Sequence, residues 1–464
     1  MGRAFANSAA LTPTGVLDLA EPERSNEVKT MGLLGRSKGV VGLVAAVLFV
    51  TACGSSTGTP QPSAPQPSAP QPSTPEATAV NADLTFQFWI AGDADKKAWE
   101  TVTAVATADH PGLKITVQGT PWPDYWSKIG NQLSNPGAPC IVGMQSLRLA
   151  AYADQLVPID DLMAKYGVKA SDFDKSIFDA MKHNGKQVAL PYDFGPLVVF
   201  YNRDRFKAAN LAEPKPGWTL DEFKSDATAL STGGKFGFTT ASIDQEYLSW
   251  VLDLSGAQLL DANGKLAVTA PAFVDGYKQY VALMNQGIAP KVSVAGYDGY
   301  VSMQSQFQDG SAAMYVDGPW TVISNRDAVK FGLGVAPMPA GPHGSMHYTA
   351  GSGFGISKQC PTPEAAFQAI ASMTGDKALT GLASVGRAYP ARPAVSEAWY
   401  GAAKIQGARE TLDYANAHSV PWLTPPNWVQ VADVFDRFGL QALTGEATPE
   451  DTLKTVQEQG TAGN

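Results

Sequence analysis

The chain has 464 residues, of which 44% are hydrophobic and 17% are charged, an ordinary composition for a globular protein. A chain of this length can fill two cores, since domains usually run to about 100–200 residues. Its formal net charge is -9 and it has no long block of Lys or Arg, which argues against a nucleic-acid partner. We therefore expect two domains or lobes, and no nucleic acid among the partners.

An export signal is predicted over residues 31–52. Arg36 and Lys38 precede an apolar run at 40–50 that is too short to cross a membrane, and two small residues follow before Cys53. The segment resembles a bacterial lipobox, in which the cysteine is lipidated, for example with palmitate, and becomes the first residue of the mature chain. The resemblance implies a lipid anchor on the outer face of the cell membrane through Cys53.

Two further segments flank the folded part. Residues 1–30 carry several acidic side chains, which an export signal does not favour, so we interpret them as a non-native or dispensable extension ahead of a true start at Met31. Residues 53–80 include QPSAPQPSAPQPSTP at 61–75, a five-residue repeat that cannot pack a core and is typical of an extended chain. We expect this segment to tether the folded part to the membrane.

Strands and helices alternate from Leu84 onwards. Alternating apolar residues and short apolar runs predict strands at 84–88, 114–117 and 141–144, with helices between them at the 3.6-residue period. A second block at 197–338 predicts helices at 220–230 and 273–285, and the tail predicts helices at 428–443 and 451–459. This order indicates an α/β protein, and we expect a mostly parallel sheet.

Cys140 and Cys360 follow the export signal and so are predicted to lie outside the cytoplasm, where a disulfide is permitted. Their pairing cannot be read from the sequence. Two buried thiols and one bridge both remain open.

Seven short stretches together resemble one family. They are FWIAGDADKKAWE at 88–100, LVPIDDLM at 156–163, LPYDFGPLVVFYNRDRF at 190–206, GWTLDEF at 217–223, FQDGSAAMYVDGPW at 307–320, GSGFGISK at 351–358 and GRAYPAR at 386–392. In this order, and behind a lipobox, they resemble the extracellular solute-binding proteins of bacterial ABC importers, in particular the maltose-binding-like sugar-binding branch. The resemblance covers about residues 84–459.

The resemblance implies a two-lobed periplasmic-binding-protein-like fold, each lobe a sheet flanked by helices, joined by a hinge of crossing strands. It places 81–192 plus 352–388 in lobe 1 and 193–351 plus 389–464 in lobe 2. It also implies a monomer that binds a sugar or oligosaccharide in the cleft, closes on it and delivers it to the permease subunits of the importer. No cofactor is expected.

A sugar site needs flat aromatic rings for the C–H faces and charged or amide groups for the hydroxyls. The resemblance makes Trp320 the first aromatic candidate, with Tyr247, Trp250 and Trp428 beside it. Each has a packing alternative: Trp320 as a wedge within its own lobe, Tyr247 and Trp250 as a core stripe on one helix face, and Trp428 as a helix-start anchor.

The first lobe supplies further candidates. Trp89 and Asp93 flank a loop between a strand and a helix, where Asp93 is equally suited to cap the helix. Gln145, Ser146 and Arg148 follow the strand at 141–144, at the strand end where α/β sheets bind ligands. Here the sequence departs from the maltose-binding pattern, which leaves the identity of the sugar open.

Three more polar residues complete the set of candidates. Asp317 either accepts hydrogen bonds from the ligand or caps its own turn. Asp193 at the first strand crossing and Arg387 in the late loop are candidates for ligand contact, or alternatively for a hinge or inter-lobe ion pair.

Catalysis is not expected. A glycosidase needs two carboxylates a few ångströms apart, and Asp93, Asp193 and Asp317 qualify by residue type alone. However, the sequence has no GxSxG, P-loop or Rossmann fingerprint, and His343 and His347 lack a third metal ligand nearby. The alternatives within the binding class are a glycerol phosphodiester or a polyamine, and a structural surface protein would need no aromatic cleft.

Overall fold

The computed structural model describes residues 80–90 and 92–462, and these belong to one compact unit. The predicted N-terminal extension, the predicted export signal, the predicted lipid attachment at Cys53 and the tether up to residue 79 lie outside the described residues. Among the helices in the described part, none combines the length and the apolar character needed to cross a bilayer.

The three strands predicted at 84–88, 114–117 and 141–144 correspond to the first three of eleven strands in the described residues, within a few residues at each end. The eleven strands are β1 (Ala82–Trp89), β2 (Leu113–Thr120), β3 (Ile141–Gln145), β4 (Lys182–His183), β5 (Lys186–Gln187), β6 (Ala189–Pro196), β7 (Val198–Asn202), β8 (Met314–Asp317), β9 (Leu333–Pro337), β10 (His347–Ile356) and β11 (Ser419–Pro421).

The helices alternate with these strands and dominate the C-terminal third. They are α1 (Asp93–Asp109), α2 (Trp122–Leu133), α3 (Ser146–Tyr152), α4 (Asp160–Tyr166), α5 (Lys175–Ala180), α6 (Arg203–Ala208), α7 (Leu220–Leu230), α8 (Asp244–Ser255), α9 (Pro271–Met284), α10 (Gly296–Gln308), α11 (Val322–Ala328), α12 (Pro363–Met373), α13 (Asp376–Ser384), α14 (Ser396–Ala403), α15 (Ala408–Ala417), α16 (Trp428–Thr444) and α17 (Pro449–Thr461).

The larger sheet has the strand order β11-β10-β3-β1-β2, with β6 also paired to β10. Its first three strands are parallel, as the alternation of strand and helix predicts. However, β10 runs antiparallel to both β3 and β6. Strand β11 pairs parallel with β10, so three of the five strand pairings in this sheet are parallel, which agrees with the expected mostly parallel sheet. Both antiparallel pairings involve β10, which returns from the second lobe and so enters the first sheet in the opposite direction.

The smaller sheet, β8-β7-β9, is antiparallel throughout. Alternate residues of β7 point to opposite faces, because side chains along a strand have a period of two. Val199 and Tyr201 pack into a core formed with α7, α8, α9 and α16. Val198 and Phe200 pack on the other face, against a core that continues under the larger sheet. Both faces are therefore covered, which explains why β7 is apolar along its length.

The chain crosses between the two sheets at the end of β6. Strand β6 pairs with β10 up to Pro196, and β7 joins the smaller sheet from Val198. We call the part built on the larger sheet the first lobe and the part built on the smaller sheet the second lobe. The residue boundaries of the lobes given above stay predictions.

The start of α7 shows how one of the quoted motifs folds. In GWTLDEF, the Thr219 side chain accepts from the backbone N–H of Glu222, whose carboxylate accepts in return from the backbone N–H of Thr219. This is a capping box, which satisfies two N–H groups that a helix start otherwise leaves unpaired. The indole N–H of Trp218 donates to the Pro337 carbonyl at 2.7 Å, which fixes the helix start to the end of β9.

A disulfide joins Cys140 to Cys360 across a sequence separation of 220 residues. Cys140 directly precedes β3 and Cys360 lies shortly after β10, and these two strands are hydrogen-bonded neighbours. Of the two possibilities that the sequence left open, the structure has the bridge.

Candidate functional site

Three predicted polar residues lie together where β3 passes into α3. The side chain of Ser146 accepts a hydrogen bond from the backbone N–H of Gly351 on β10, at 3.3 Å. The guanidinium of Arg148 donates to the side-chain carbonyl of Gln145 one turn back. Gln145 therefore orients Arg148, and both lie at the carboxyl end of a buried strand, where an α/β sheet exposes its ligand-binding groups.

Arg148 lies over two tryptophan rings at the start of α2. Its guanidinium carbon is 5.1 Å from the ring centroid of Trp122 and 5.2 Å from that of Trp126. A guanidinium at this range is attracted by the quadrupole of the indole, and its planar shape allows it to lie along the ring. The ring of Trp89 packs edge-on against the ring of Trp122, with the ring centroids 5.0 Å apart.

Two carboxylates of the second lobe lie near enough to Arg148 for their charges to act on its pKa. Asp244 is the first residue of α8, and Asp436 lies in the middle of α16. The hydroxyl of Tyr247 donates to Asp436 at 3.2 Å, and the Tyr247 ring stacks on Phe435 with centroids 3.7 Å apart. Tyr247 thus positions Asp436. We call Trp122, Trp126, Arg148, Asp244 and Asp436 together the cleft cluster.

The charges of the cleft cluster act on one another. Burial lowers the pKa of Arg148, while the nearby Asp244 and Asp436 oppose this change. Burial raises the pKa of Asp244, and Arg148 is the main opposing group. Burial, followed by repulsion from Asp244, raises the pKa of Asp436 well above its usual range. One partly buried cation therefore interacts with two partly buried carboxylates that repel each other.

The two lobes meet beside this cluster. Leu147, next to Arg148, is only 3% exposed and belongs to the core of the second lobe. Its carbonyl accepts a hydrogen bond from the Thr424 side chain at 2.7 Å, just ahead of α16. The cleft cluster therefore lies beside the junction of the two lobes.

Trp320 lies in a short 3-10 helix, Pro319–Thr321, directly after β8. Its ring lies so close to the backbone of Gly318 that a Cβ on that residue would come within 2.1 Å of the ring. The side chain is partly buried and packs against the second core, so part of its ring remains accessible. These contacts agree with a ring displayed at the edge of the second lobe, and the stacking role stays a prediction.

Trp250 and Trp428 are both completely buried. Trp250 packs against Phe223 and Phe238 in the core of the second lobe, with centroids 4.7 Å and 5.5 Å away. Trp428 opens α16 and belongs to the same core. These are the contacts of the packing alternatives, so neither ring presents a surface to a ligand in this conformation.

Asp193 and Arg387 lie at the strand crossing in the first lobe. Asp193 accepts a hydrogen bond from the backbone N–H of Ser352 on β10 at 2.7 Å, and burial raises its pKa to about 7 while Arg387 opposes the change. Arg387 donates to Asp95 at the start of α1 and lies 5.0 Å from the ring centroid of Trp99. These contacts fit the hinge and ion-pair alternatives, although here the ion pair lies within one lobe.

The last candidates are spread over both lobes. Asp317 is fully buried, accepts from the Gly318 N–H at 2.8 Å and from the Tyr300 hydroxyl at 3.0 Å, and so closes its own turn. Asp93 is exposed in the first turn of α1, where its charge suits the helix dipole. Trp89 is 9% exposed and contacts Phe88 and Trp122. The structure does not bring these three residues together.

Sequence reasoning did not select four members of the cleft cluster as site residues: Trp122, Trp126, Asp244 and Asp436. Trp122 and Trp126 had a usable signal, since two tryptophans one turn apart follow the end of a parallel strand in TPWPDYW. Asp244 follows an apolar stretch at a helix start, which indicates a cap equally well. Asp436 lies inside a regular amphipathic helix, and no local pattern marks it.

Two surface grooves lie elsewhere on the molecule. One, of about 380 Å³, lies on the first lobe and is lined by residues such as His110, Tyr166 and Lys377. The other, of about 520 Å³, is lined by residues such as Arg326 and Val385. Neither groove contains a predicted site residue. Within the described part of the chain, no group of three or more His, Cys, Asp or Glu side chains is arranged to hold a metal ion.

Residues 91–380 match the model of the family described as bacterial extracellular solute-binding protein. The chain belongs to this family. The matched range includes the passage from β6 to β7, the return strand β10 and four of the five residues of the cleft cluster.

Individual relatives are more distant. A binding protein of Brucella abortus is 24% identical over 257 residues, which is 53% of this chain and 61% of that protein. The maltooligosaccharide ABC transporter solute-binding lipoprotein of Streptococcus pneumoniae is 30% identical over 198 residues, which is 40% of this chain and 44% of that protein. The alignments thus cover about three fifths or less of the length of each of these two relatives.

Among solved structures, an ABC substrate-binding protein of Listeria monocytogenes in complex with cycloalternan has a TM-score of 0.73 at 21% identity. The match covers 82% of this chain and 98% of that one. The two-lobed fold of the solute-binding proteins is therefore confirmed.

Proposed function

We propose that the protein is the extracytoplasmic substrate-binding subunit of a bacterial ABC importer and that it binds a sugar or oligosaccharide between its lobes. It hands the sugar to a membrane permease and works as a monomer without a cofactor. Lipidation of Cys53 anchors it to the outer face of the membrane, with residues 53–80 as the tether. The relative from Streptococcus pneumoniae, named a maltooligosaccharide-binding lipoprotein, supports both the ligand class and the anchor.

The observation that carries the proposal is the stack of Arg148 on Trp122 and Trp126 opposite Asp244 and Asp436. Indole rings suit the C–H faces of a sugar, and guanidinium and carboxylate groups suit its hydroxyls. Because the groups come from both lobes, a ligand that contacts all of them favours closure of the lobes. This arrangement fits binding, and we propose no catalysis.

Thermal unfolding of residues 75–464 tests the proposal. Monosaccharides and malto-, cello- and manno-oligosaccharides form the panel, with glycerol phosphate, spermidine and amino acids as controls. A ligand at about 100 times its dissociation constant stabilises the folded state by about 2.7 kcal/mol, which raises the unfolding temperature measurably.

A shift with at least one sugar and none with the controls supports the proposal. Shifts with glycerol phosphate or spermidine alone overturn the sugar class and leave an importer subunit for a different solute. Glycerol phosphate is disfavoured in advance by the two carboxylates of the cleft cluster, which repel a phosphate.

A further inference from the structure

Helix α3 lies between two hydrophobic cores. Its residues Leu147 and Leu149 point to nearly opposite sides, because successive side chains of a helix are about 100° apart. Leu149 is 2% exposed and belongs to the core under the larger sheet. Leu147 is 3% exposed and belongs to the core of the second lobe. A side chain of the first lobe is therefore buried in the core of the other lobe.

A hydrogen bond adds to this contact. The Thr424 hydroxyl donates to the Leu147 carbonyl at 2.7 Å. Two prolines follow Thr424 and restrict its backbone. The carbonyl of the first, Pro425, accepts from the backbone N–H of Trp428 at 3.0 Å, which ties the segment to the start of α16. Thr424 is therefore held by a stiff segment that belongs to the second lobe.

The neighbours of Leu147 in the first turn of α3 connect it to the cleft cluster. Ser146 accepts from the backbone N–H of Gly351 on β10, and Arg148 lies over the two indole rings. Three consecutive residues thus contact the return strand, the second lobe and the aromatic pair. Because they share one helical turn, a movement of Leu147 also moves Arg148.

These contacts differ from the strand crossings in their response to a movement of the lobes. The passage from β6 to β7 is covalent and keeps the lobes connected in every arrangement. Leu147 and Thr424 are 277 residues apart in sequence and meet where α3 packs on α16. A rotation that separates these two helices exposes the Leu147 side chain to water and breaks the hydrogen bond, and both changes cost free energy.

We propose that Leu147 and Thr424 form a latch that holds the two lobes together beside the cleft cluster. The latch exists only in the arrangement in which α3 lies against α16, so it favours that closed arrangement over an open one even without a ligand. A solute that binds between the lobes then uses less of its binding free energy for closure, which raises its apparent affinity. The latch therefore acts on any solute, whether or not it is a sugar.

X-ray scattering of residues 75–464 without a ligand tests the latch. Leu147→Ala removes most of the side chain that is buried in the second lobe, and we expect a larger radius of gyration because the open arrangement becomes more populated. Leu149→Ala is the matched control, since it shortens an equally buried leucine of the same helix that belongs to the first core. Both variants lower the unfolding temperature, but only Leu147→Ala is expected to change the radius of gyration.

A milder variant removes the hydrogen bond alone. Thr424→Val replaces the hydroxyl with a methyl group of similar size, so the fold is kept, and we expect a smaller increase in the radius of gyration. Thr374→Val is its control, because the Thr374 hydroxyl donates to the Ile370 carbonyl at 2.8 Å within the first lobe.

Calorimetric titration of the same variants measures the effect on affinity. The titrant is the sugar of the panel above that gives the largest thermal shift. We expect binding about tenfold weaker in Leu147→Ala and about threefold weaker in Thr424→Val, with both controls unchanged. A saturating amount of this sugar should return the radius of gyration of each latch variant to that of the unmodified chain.

A radius of gyration that is the same in the unmodified chain, in Leu147→Ala and in Thr424→Val would contradict the latch. An equal increase in Leu149→Ala would also contradict it, because any weakened core would then open the lobes. The scattering measurement needs no ligand. It therefore decides about the latch even if no sugar binds, a result that would overturn only the proposed function.

Discussion

The guanidinium of Arg148 lies 5.1 Å from the ring centroid of Trp122, and both residues belong to the first lobe. The stack combines a flat indole with a positive charge, and the charges of Asp244 and Asp436 in the second lobe act on it. A surface of this kind matches a sugar, which has an apolar face and a rim of hydroxyls. The relationship is therefore central to the functional account.

Replacing Arg148 with lysine tests the stack. Lysine keeps the charge but has no planar group to lie on Trp122, and it cannot donate to Gln145 in the same geometry. We expect Arg148→Lys to weaken sugar binding about tenfold or more, measured by calorimetry. Arg409→Lys is the matched control. Arg409 lies on α15, outside the cleft cluster, and its guanidinium is also placed over a ring, 4.0 Å from the centroid of Tyr400. Equal affinities for the two variants would contradict the role of Arg148.

Trp320 and Trp250 are expected to respond differently to alanine. Trp320→Ala removes a partly exposed ring and should lower sugar affinity about tenfold or more, with little change in unfolding temperature. Trp250→Ala opens a cavity in the core and should lower the free energy of unfolding by about 3–5 kcal/mol. Titration and thermal unfolding of both variants provide the comparison. An unchanged affinity in Trp320→Ala would leave Trp320 with a packing role only.

The bond between Cys140 and Cys360 closes a loop of 220 residues. A crosslink over a long loop restricts the unfolded chain, so its loss typically lowers the free energy of unfolding by about 2–5 kcal/mol. We expect the double variant Cys140→Ser/Cys360→Ser to unfold several degrees below the unmodified chain, and a reducing agent to lower the unfolding temperature of the unmodified chain only. If reduction leaves the unfolding temperature of the unmodified chain unchanged, the bridge contributes nothing to stability.

Asp317 is expected to make the stability of the folded state depend on pH. Burial raises its pKa from 3.8 to about 7, while hydrogen bonds from Gly318 and Tyr300 oppose the shift, and the buried Glu246 lies near enough for the two carboxyls to repel. The folded state therefore binds a proton that the unfolded state releases. Its contribution to stability is complete below about pH 4 and is lost as the pH rises to about 7.

We expect Asp317→Asn to reduce the decline in unfolding free energy between about pH 4 and pH 7, because asparagine has no charge to bury. Denaturant unfolding at several pH values measures this slope. Asp298→Asn, an exposed carboxylate on α10, serves as the control with an unchanged slope. A decline that is the same in Asp317→Asn and in the unmodified chain would show that Asp317 is already ionised at pH 4.

Periodicity was enough to predict the first three strands and several of the helices. The predicted helix at 220–230 coincides with α7, since a capping box and an apolar stripe mark its start and its face. The direction of β10 could not be predicted in this way. The direction of a strand in a sheet depends on the path of the chain before that strand. Nothing in GSGFGISK itself shows that the chain enters β10 from the other lobe.

The candidate site was predicted in part, for a similar reason. Gln145, Ser146 and Arg148 follow a strand, and position at a strand end is visible in sequence. Asp436 lies within α16, far from Arg148 along the chain. The two residues come near each other only because the two lobes pack together, and no local sequence pattern shows that packing. Trp250 was a candidate for ligand contact but is buried in the core. The sequence could not separate these two roles, because an aromatic residue at helical spacing has the same pattern in both.

Calorimetric titration of the unmodified chain and of a double variant, Trp122→Ala/Arg148→Met, tests the central claim most directly. The titrant is the sugar that gives the largest thermal shift. Our account predicts one binding site in the unmodified chain and about 100-fold or weaker binding in the double variant, which removes the stack. Because Trp122 also packs on Trp89 at the edge of the first core, thermal unfolding of the double variant checks that it folds. Equal affinity in the two proteins would contradict it, because the sugar would then bind away from the cleft cluster.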